Sequence, residues 1–264
     1  MTQSVAALLS AHGLHPRKGL GQNFLTDPVA LERIVAAADL SPDDVVVEVG
    51  AGVGTLTRSL AERAGHVLAL ELDDRLVELL RAQLAHLPNV EIVHGDVLHF
   101  SLAELPHLGY KVVGNLPYYI TSAVLRHFLE KAPRPRLMVV TVQREVANRI
   151  VARPGEMSLL AVSVQFYGHP GIVARIPAGA FYPPPQVDSA VVRIDVGEQP
   201  AVLLGGGIDD TTFFRLVRAG FAQKRKTLRN SLSAGLALSP AVVAELLEQA
   251  AIDPHRRAHV SPLH

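Results

Sequence analysis

Apolar residues along the chain fall into short runs with two different periods. Asp44-Val45-Val46-Val47-Glu48-Val49 is a near-continuous β-branched run, the pattern of a central parallel strand buried on both faces. His66–Leu70, Val90–His94, Lys111–Gly114 and Ala190–Asp195 predict further strands, whereas Thr55–Ala61 and Ile120–Leu129 carry helical spacing. The strands and helices together predict an α/β core running to Val196. A short helix is expected over 1–10 and a loop over 19–23. Gln199-Pro200 and Gly205-Gly206-Gly207 mark a boundary to a helical tail. In that tail Phe213, Phe214, Val217 and Phe221 recur with helical period, which is core packing. Ser239-Pro240 supplies an N-cap with proline at the first helical position, opening a helix over 241–250. The predicted domains are therefore 1–196 and 197–264, with no internal repeat.

Composition narrows the function classes. A chain of 264 residues has room for one large domain and a small one, and 48% apolar content makes it globular. Net charge is zero and the pI near 7.2, so any nucleic-acid site must be a local basic patch. The absence of cysteine excludes disulfides, zinc–thiolate sites and thiol nucleophiles, and fits a cytoplasmic protein. The N-terminus lacks the cationic-then-apolar order of a secretory signal. Runs such as Leu137-Met138-Val139-Val140 are far short of a membrane span. The 12 histidines show no His-Glu-x-x-His spacing and read mostly as surface residues, so no metal is expected.

The first strand runs into Gly50-Ala51-Gly52-Val53-Gly54, where Gly50, Gly52 and Gly54 let the backbone turn sharply and approach a ligand. The next strand ends at Glu71, placed to accept both hydroxyls of a ribose. A third leads to Gly95-Asp96, whose carboxylate is suited to an adenine amino group. A nicotinamide or flavin dinucleotide is the rival ligand, but its fingerprint needs glycine or alanine where Thr55 stands. The order Glu-x-Gly-x-Gly-x-Gly, with acids closing the next two strands, is the S-adenosylmethionine arrangement.

Asn115-Leu116-Pro117-Tyr118 closes a fourth strand, at the end where open α/β sheets bind ligands. Taken alone it is equally a tight strand-to-helix turn. In this position it carries groups that would methylate an exocyclic amine of a flipped-out base. The lone pair of such an amine is delocalised into the ring. Two N–H acceptors, the Asn115 side-chain oxygen and a backbone carbonyl beside Pro117, localise it, and Tyr118 stacks on the base. Extrusion costs a few kcal/mol, and stacking returns ~1–3 kcal/mol.

Several further segments complete the pattern: Gly19–Leu25, Glu71-Leu72-Asp73, Val142–Ala147, Phe181–Ser189 with its Phe-Tyr-Pro-Pro-Pro run, and Lys224–Asn230. With the glycine loop and Gly114–Tyr119, in this order, the chain resembles the ribosomal RNA adenine dimethyltransferase family, most closely its bacterial small-subunit type. The resemblance spans about residues 17–235. It implies a doubly wound, Rossmann-like methyltransferase domain with a small all-helical C-terminal domain. It also implies cofactor contacts from Asn23, Leu25, Gly50, Glu71, Asp96 and Asn115, and target-adenine contacts from Asn115 through Tyr118. Phe181 is expected to close over the other face of the base, its alternative being an ordinary core aromatic.

The implied reaction is transfer of methyl groups from S-adenosylmethionine to two adjacent adenosines near the 3′ end of small-subunit ribosomal RNA. The implied partner is the immature small subunit, met by a monomer. Lys224, Arg225, Lys226 and Arg229 are expected to contact phosphates, with Arg225 and Arg229 on one helix face. The rivals are a large-subunit methyltransferase of the same chemistry, a DNA adenine methyltransferase, and an assembly or transcription factor whose catalysis is vestigial. In one respect the chain departs from the family. After Arg256-Arg257-Ala258 it reads His259-Val260-Ser261-Pro262-Leu263-His264, so the expected final helix is absent from this sequence.

Overall fold

The computed structural model describes residues 4–105, 109–197 and 208–258. The predicted boundary at Gln199-Pro200 and Gly205-Gly206-Gly207, the last six residues and the first three all lie outside them. α1 (Val5–Ala11) is followed by a 3-10 turn at Lys18–Leu20 and the short strand β1 (Phe24–Leu25). Helices and strands then succeed one another as α2 (Pro28–Ala37), β2 (Val45–Val49), α3 (Thr55–Ala61), β3 (His66–Glu71), α4 (Asp74–Leu84), β4 (Val90–His94), β5 (Lys111–Asn115), α5 (Thr121–Glu130) and β6 (Leu137–Gln143). α6 (Arg144–Ile150), α7 (Leu159–Tyr167), β7 (Gly168–Ile176), β8 (Phe181–Tyr182) and β9 (Ser189–Val196) follow, and α8 (Asp210–Phe221), α9 (Leu228–Leu236) and α10 (Pro240–Gln249) end the described chain.

The large sheet has the order β4-β3-β2-β5-β6-β9-β7, parallel from β4 to β6 and antiparallel beyond. β2 is central, and its side chains are buried on both faces, which is why an uninterrupted valine run suits it. α2 and α3 cover one face through Leu31, Ile34, Leu56 and Leu60, against Val46, Val67 and Val113. α4 extends the cover of the same face through Leu80 and Leu84, packed on Ala51 and Ala69, since Val67 and Ala69 are two apart on β3 and point the same way. The chain steps outward from β2 to β4 and then returns to place β5 on the opposite side of β2. That reversal is a topological switch point, and it opens a crevice at the strand ends. The fold is the doubly wound, Rossmann-like α/β class.

Two compact units divide the chain: Met1–Asn148 with Gly168–Glu198, and Arg149–Tyr167 with Gln199–His264. The expected cut after 196 lies beside one crossing between them. The other crossings bracket α7, whose Phe166 stacks on Phe213 with ring centroids 4.6 Å apart. Within this helical unit α9 and α10 share a core of Leu228, Leu232, Val243 and Leu247. One expectation is corrected here. Lys224, Arg225 and Lys226 stand exposed in a turn, closed by the Lys226 N–H donating to the Gln223 carbonyl. Thr227 then caps a new helix by accepting from the Asn230 N–H. Arg229 therefore lies in the first turn of α9 while Arg225 precedes the helix, and the two do not share a helix face.

At the base of the sheet, β5 starts on a buried charge. Lys111, 3% exposed, sets its ammonium 2.9 Å from the Asp44 carboxylate and donates to the carbonyls of Ala38 and Asp39. Arg136 reaches the same carboxylate. Burial pushes the Asp44 pKa up, but Lys111, the Ser41 N–H and Arg136 outweigh it and hold it below the usual range. Removing one partner of a buried pair leaves the other charge uncompensated. Asp44→Ala is therefore expected to cost about 3 kcal/mol or more, read as a lower urea midpoint. An unchanged midpoint would show that the two carbonyls satisfy Lys111 alone.

Candidate active site

The crevice is a cavity lined by the ends of β2, β3 and β5, the loop after β4 and the segment before β1. The β2–α3 turn has positive φ at Gly50, Gly52 and Gly54, at 77°, 60° and 79°, a region that glycine enters without penalty. Gly50 and Gly52 line the cavity. Gly54 does not: a side chain there would meet Leu80 Cδ2 at 2.9 Å, so its absence lets α3 settle on α4.

Glu71 ends β3 with both carboxylate oxygens engaged. Its Oε2 accepts the Gly52 N–H at 2.8 Å, and its Oε1 accepts those of Leu72 and Asp73 at 2.9 Å each. It is thereby locked onto the glycine turn while still facing the cavity. Burial raises its pKa, and the three backbone donors pull against that rise. Asp96, at the loop after β4, accepts the Leu98 N–H at 2.9 Å and lies 3.2 Å from His99 Nδ1.

The segment before β1 is tied down across the cavity. Asn115 donates from Nδ2 to the Asn23 carbonyl at 2.8 Å, and Gln22 donates to Asp73 at 3.0 Å. Asp73 is 1% exposed and gathers Arg75 and Arg17 as well. Burial alone would raise its pKa, yet Arg75, Gln22 and Arg17 bring it down to about 2. Asn23 and Leu25 line the cavity, and the Asn23 amide turns back onto the Gly21 carbonyl.

Asn115, Leu116, Pro117 and Tyr118 are all cavity residues. The Leu116 N–H donates to Thr141 O at 3.1 Å, which carries the β5–β6 ladder one residue past Asn115. The Pro117 carbonyl accepts from Ile120 and closes the turn into α5, so the acceptor expected beside Asn115 is the Leu116 carbonyl. Tyr118 lines the cavity with its hydroxyl 2.8 Å from Ser189 Oγ. Tyr119 is 60% exposed at the mouth.

A model of the family described as ribosomal RNA adenine dimethylase matches residues 13–257. The chain belongs to this family. It is 51% identical over 253 residues to the ribosomal RNA small subunit methyltransferase A of Dehalococcoides mccartyi, a match covering 95% of this chain and 86% of that relative. With the protein of the same description from Pelotomaculum thermopropionicum it shares 43% identity, over 98% of this chain and 92% of the relative. Among solved structures it is similar to the 23S rRNA methyltransferase ErmE, with TM-score 0.71 and 33% identity, covering 91% and 95% of the two chains. A dimethyladenosine transferase from Plasmodium falciparum superposes with TM-score 0.73 over 90% and 93%, and at 23% identity that likeness concerns the fold. As a member of the dimethylase family the protein is an S-adenosylmethionine-dependent rRNA adenine dimethyltransferase.

Besides Gly54, a second expected site residue is differently placed. Phe181 is 4% exposed, packed with Leu25, Ile34 and Ala180, and does not line the cavity. Successive strand residues face opposite ways, so in β8 it is Tyr182 that points outward while Phe181 turns into the core. Its pairing with Leu25 instead holds β1 in place. Lys224, Arg225, Lys226 and Arg229 belong to the helical unit and are not cavity residues.

The Gln22–Asp73 tie has no signal in the sequence: it joins residues 51 positions apart, and no local pattern announces it. Glu48 opens the Glu-x-Gly-x-Gly-x-Gly order, but the pattern gives it no role of its own; it lines the cavity, 1% exposed, with Oε2 lacking a hydrogen-bond partner. Burial lifts its pKa to about 8, helped by the neighbouring charge of Glu71. An orphaned buried carboxyl fits a cationic ligand, and S-adenosylmethionine carries positive charge at its sulfonium and ammonium. A raised carboxyl pKa means that the folded state binds the proton more tightly than the unfolded state, where the value is near 4.5. Stability is then lost as pH rises between those two values. Ligand-free protein is expected to lose thermal stability from about pH 5 to about pH 8, and Glu48→Gln to flatten that slope. Equal slopes in the two proteins would show that Glu48 ionises without penalty.

Proposed function

We propose that the protein dimethylates the N6 amine of two adjacent adenosines near the 3′ end of small-subunit ribosomal RNA, acting in the cytoplasm as a monomer on the immature subunit. The observation that carries the chemistry is the Asn115 amide. Its Nδ2 is spent on the Asn23 carbonyl, which directs Oδ1 to accept an N–H of the target amine. The Leu116 carbonyl accepts the second. With both N–H bonds held, the nitrogen lone pair is localised and aimed for in-line attack. S-adenosylmethionine supplies the electrophilic methyl group. Gly50, Gly52 and Glu71 would hold its ribose end, Asp96 its adenine and Glu48 its cationic end. Tyr118 supports the base by stacking and stabilises the nitrogen as it becomes cationic. The proton leaves after that charge has formed, so no general base is needed.

The small-subunit substrate is supported by the relatives of that description at 51% and 43% identity. The likeness to the 23S rRNA methyltransferase ErmE at 33% identity supports a second reading, the same chemistry on large-subunit RNA. Nucleoside mass spectrometry decides between them. Unmethylated small subunits, large-subunit RNA and DNA are each incubated with the protein and S-adenosylmethionine, and dimethyladenosine is expected only in the first. Signal in either other sample would reassign the substrate. Asn115→Ala should abolish turnover while leaving RNA affinity largely intact, and retained turnover would remove Asn115 from this role.

The helical unit is proposed to carry the phosphate contacts at Lys224, Arg225, Lys226 and Arg229. Each lost contact should reduce the slope of log affinity against log salt by roughly 0.7 to 0.9. Charge reversal at Arg225 and Arg229 is expected to weaken RNA binding and flatten that slope. An unaltered slope would place the RNA elsewhere.

A further inference from the structure

We propose that Ser189 is a positioning residue for the target base, holding the Tyr118 ring in the orientation on which that base stacks. The inference rests on the reading of Tyr118 as the stacking residue. Tyr118 sits on the connection between β5 and α5 and lines the cavity, where its ring orientation is set by what its hydroxyl meets. Its hydroxyl meets Ser189 Oγ at 2.8 Å, which pins the far end of the ring. Burial raises the Tyr118 pKa, so the phenol keeps its proton and can donate.

The other end of this hydrogen bond is rigidly mounted. Ser189 is fully buried and opens β9, paired with Gln143 of β6 on one side and Ile176 of β7 on the other. The preceding residue is clamped as well. The Asp188 carbonyl accepts the Arg144 N–H at 3.0 Å, and its carboxylate accepts the Ala178 N–H at 3.2 Å. A hydroxyl fixed within three strands thus sets the position of an aromatic ring on a loop. Reactions that depend on aligning two groups are sensitive to small displacements of the groups that align them. Ser189 is not among the residues that line the cavity, so its effect passes through Tyr118.

A double-mutant cycle tests the link. Ser189→Ala, Tyr118→Phe, the double variant and Tyr118→Ala are compared by kcat, KM for RNA, S-adenosylmethionine affinity and thermal midpoint. Ser189→Ala is expected to lower kcat between about tenfold and a hundredfold, with cofactor affinity and midpoint close to wild type. Tyr118→Phe keeps the ring and loses the same hydrogen bond, so it should show a matching loss, and the double variant should be no worse than either single one. Multiplying losses in the double variant would overturn the proposal, because Ser189 would then act by another route. Full kcat in Ser189→Ala alongside a severe loss in Tyr118→Ala would overturn it while leaving the stacking role standing. Full activity in Tyr118→Ala would remove both. Were Ser189→Ala to unfold, Tyr118→Phe probes the same bond from its less buried end, and full kcat there would also overturn the proposal.

Discussion

β5 is threaded between two parallel neighbours, with Gly114 opposite Val49 on one side and Val140 on the other, and every contact Asn115 makes depends on that register. A side chain at Gly114 would stand 2.7 Å from the Val49 carbonyl, so only glycine lets the end of β5 run this close to the end of β2. A slip of one residue would turn Asn115 to the opposite face of the sheet. The register is secured from below by Lys111, whose ammonium has a single place to go, and from above by the Leu116 N–H on Thr141. The site is thus fixed by a strand anchored at both ends.

Along the crevice, three acidic side chains of similar chemistry are driven to different states by what surrounds them. Asp73 collects Arg75, Gln22 and Arg17 and stays ionised. Glu71 is buried too, but backbone N–H groups take its oxygens. Glu48 has burial opposed by the neighbouring Thr57 hydroxyl alone, and its pKa rises to about 8. The first serves as an anchor for the segment before β1, the second as a rigid acceptor, and the third as a group that a cation would satisfy. Burial raises all three; the difference lies in the donors that oppose it.

Much of this was legible in the sequence because the relevant signals are local. The valine run, the glycine turn and the acids closing successive strands are each contained within a few residues, and parallel topology collects strand ends on one edge. What escaped is non-local or turns on a single boundary. Nothing near Gln22 names Asp73 as its partner. α7 joins the helical unit without a break in composition, since its apolar surface suits either core. Arg225 was placed on a helix because Lys224–Asn230 has helical spacing, but Thr227 offers a cap, and capping begins the helix later. Phe181 is expected at the base from the resemblance, whereas the pairing of β8 with β1 decides which of two adjacent aromatics faces out.

The Asn115 amide also explains why the segment before β1 belongs to the site rather than merely covering it. An amide has one donating and one accepting end, and a fixed carbonyl at Asn23 can only be met by the donor. The inverted amide would set two oxygens against each other at hydrogen-bonding distance, so the Asn23 carbonyl orients Oδ1 for the substrate. That carbonyl is itself located by Gln22 on Asp73, by the Gly21 turn and by the β1–β8 pairing. Asn115 therefore reads the position of a segment that also lines the cofactor cavity. Displacing that segment would release the amide to rotate, and the acceptor geometry for the target amine would go with it. An aspartate in its place would bring a charged oxygen against the Asn23 carbonyl, which is a physical reason for an amide, and not a carboxylate, at this strand end.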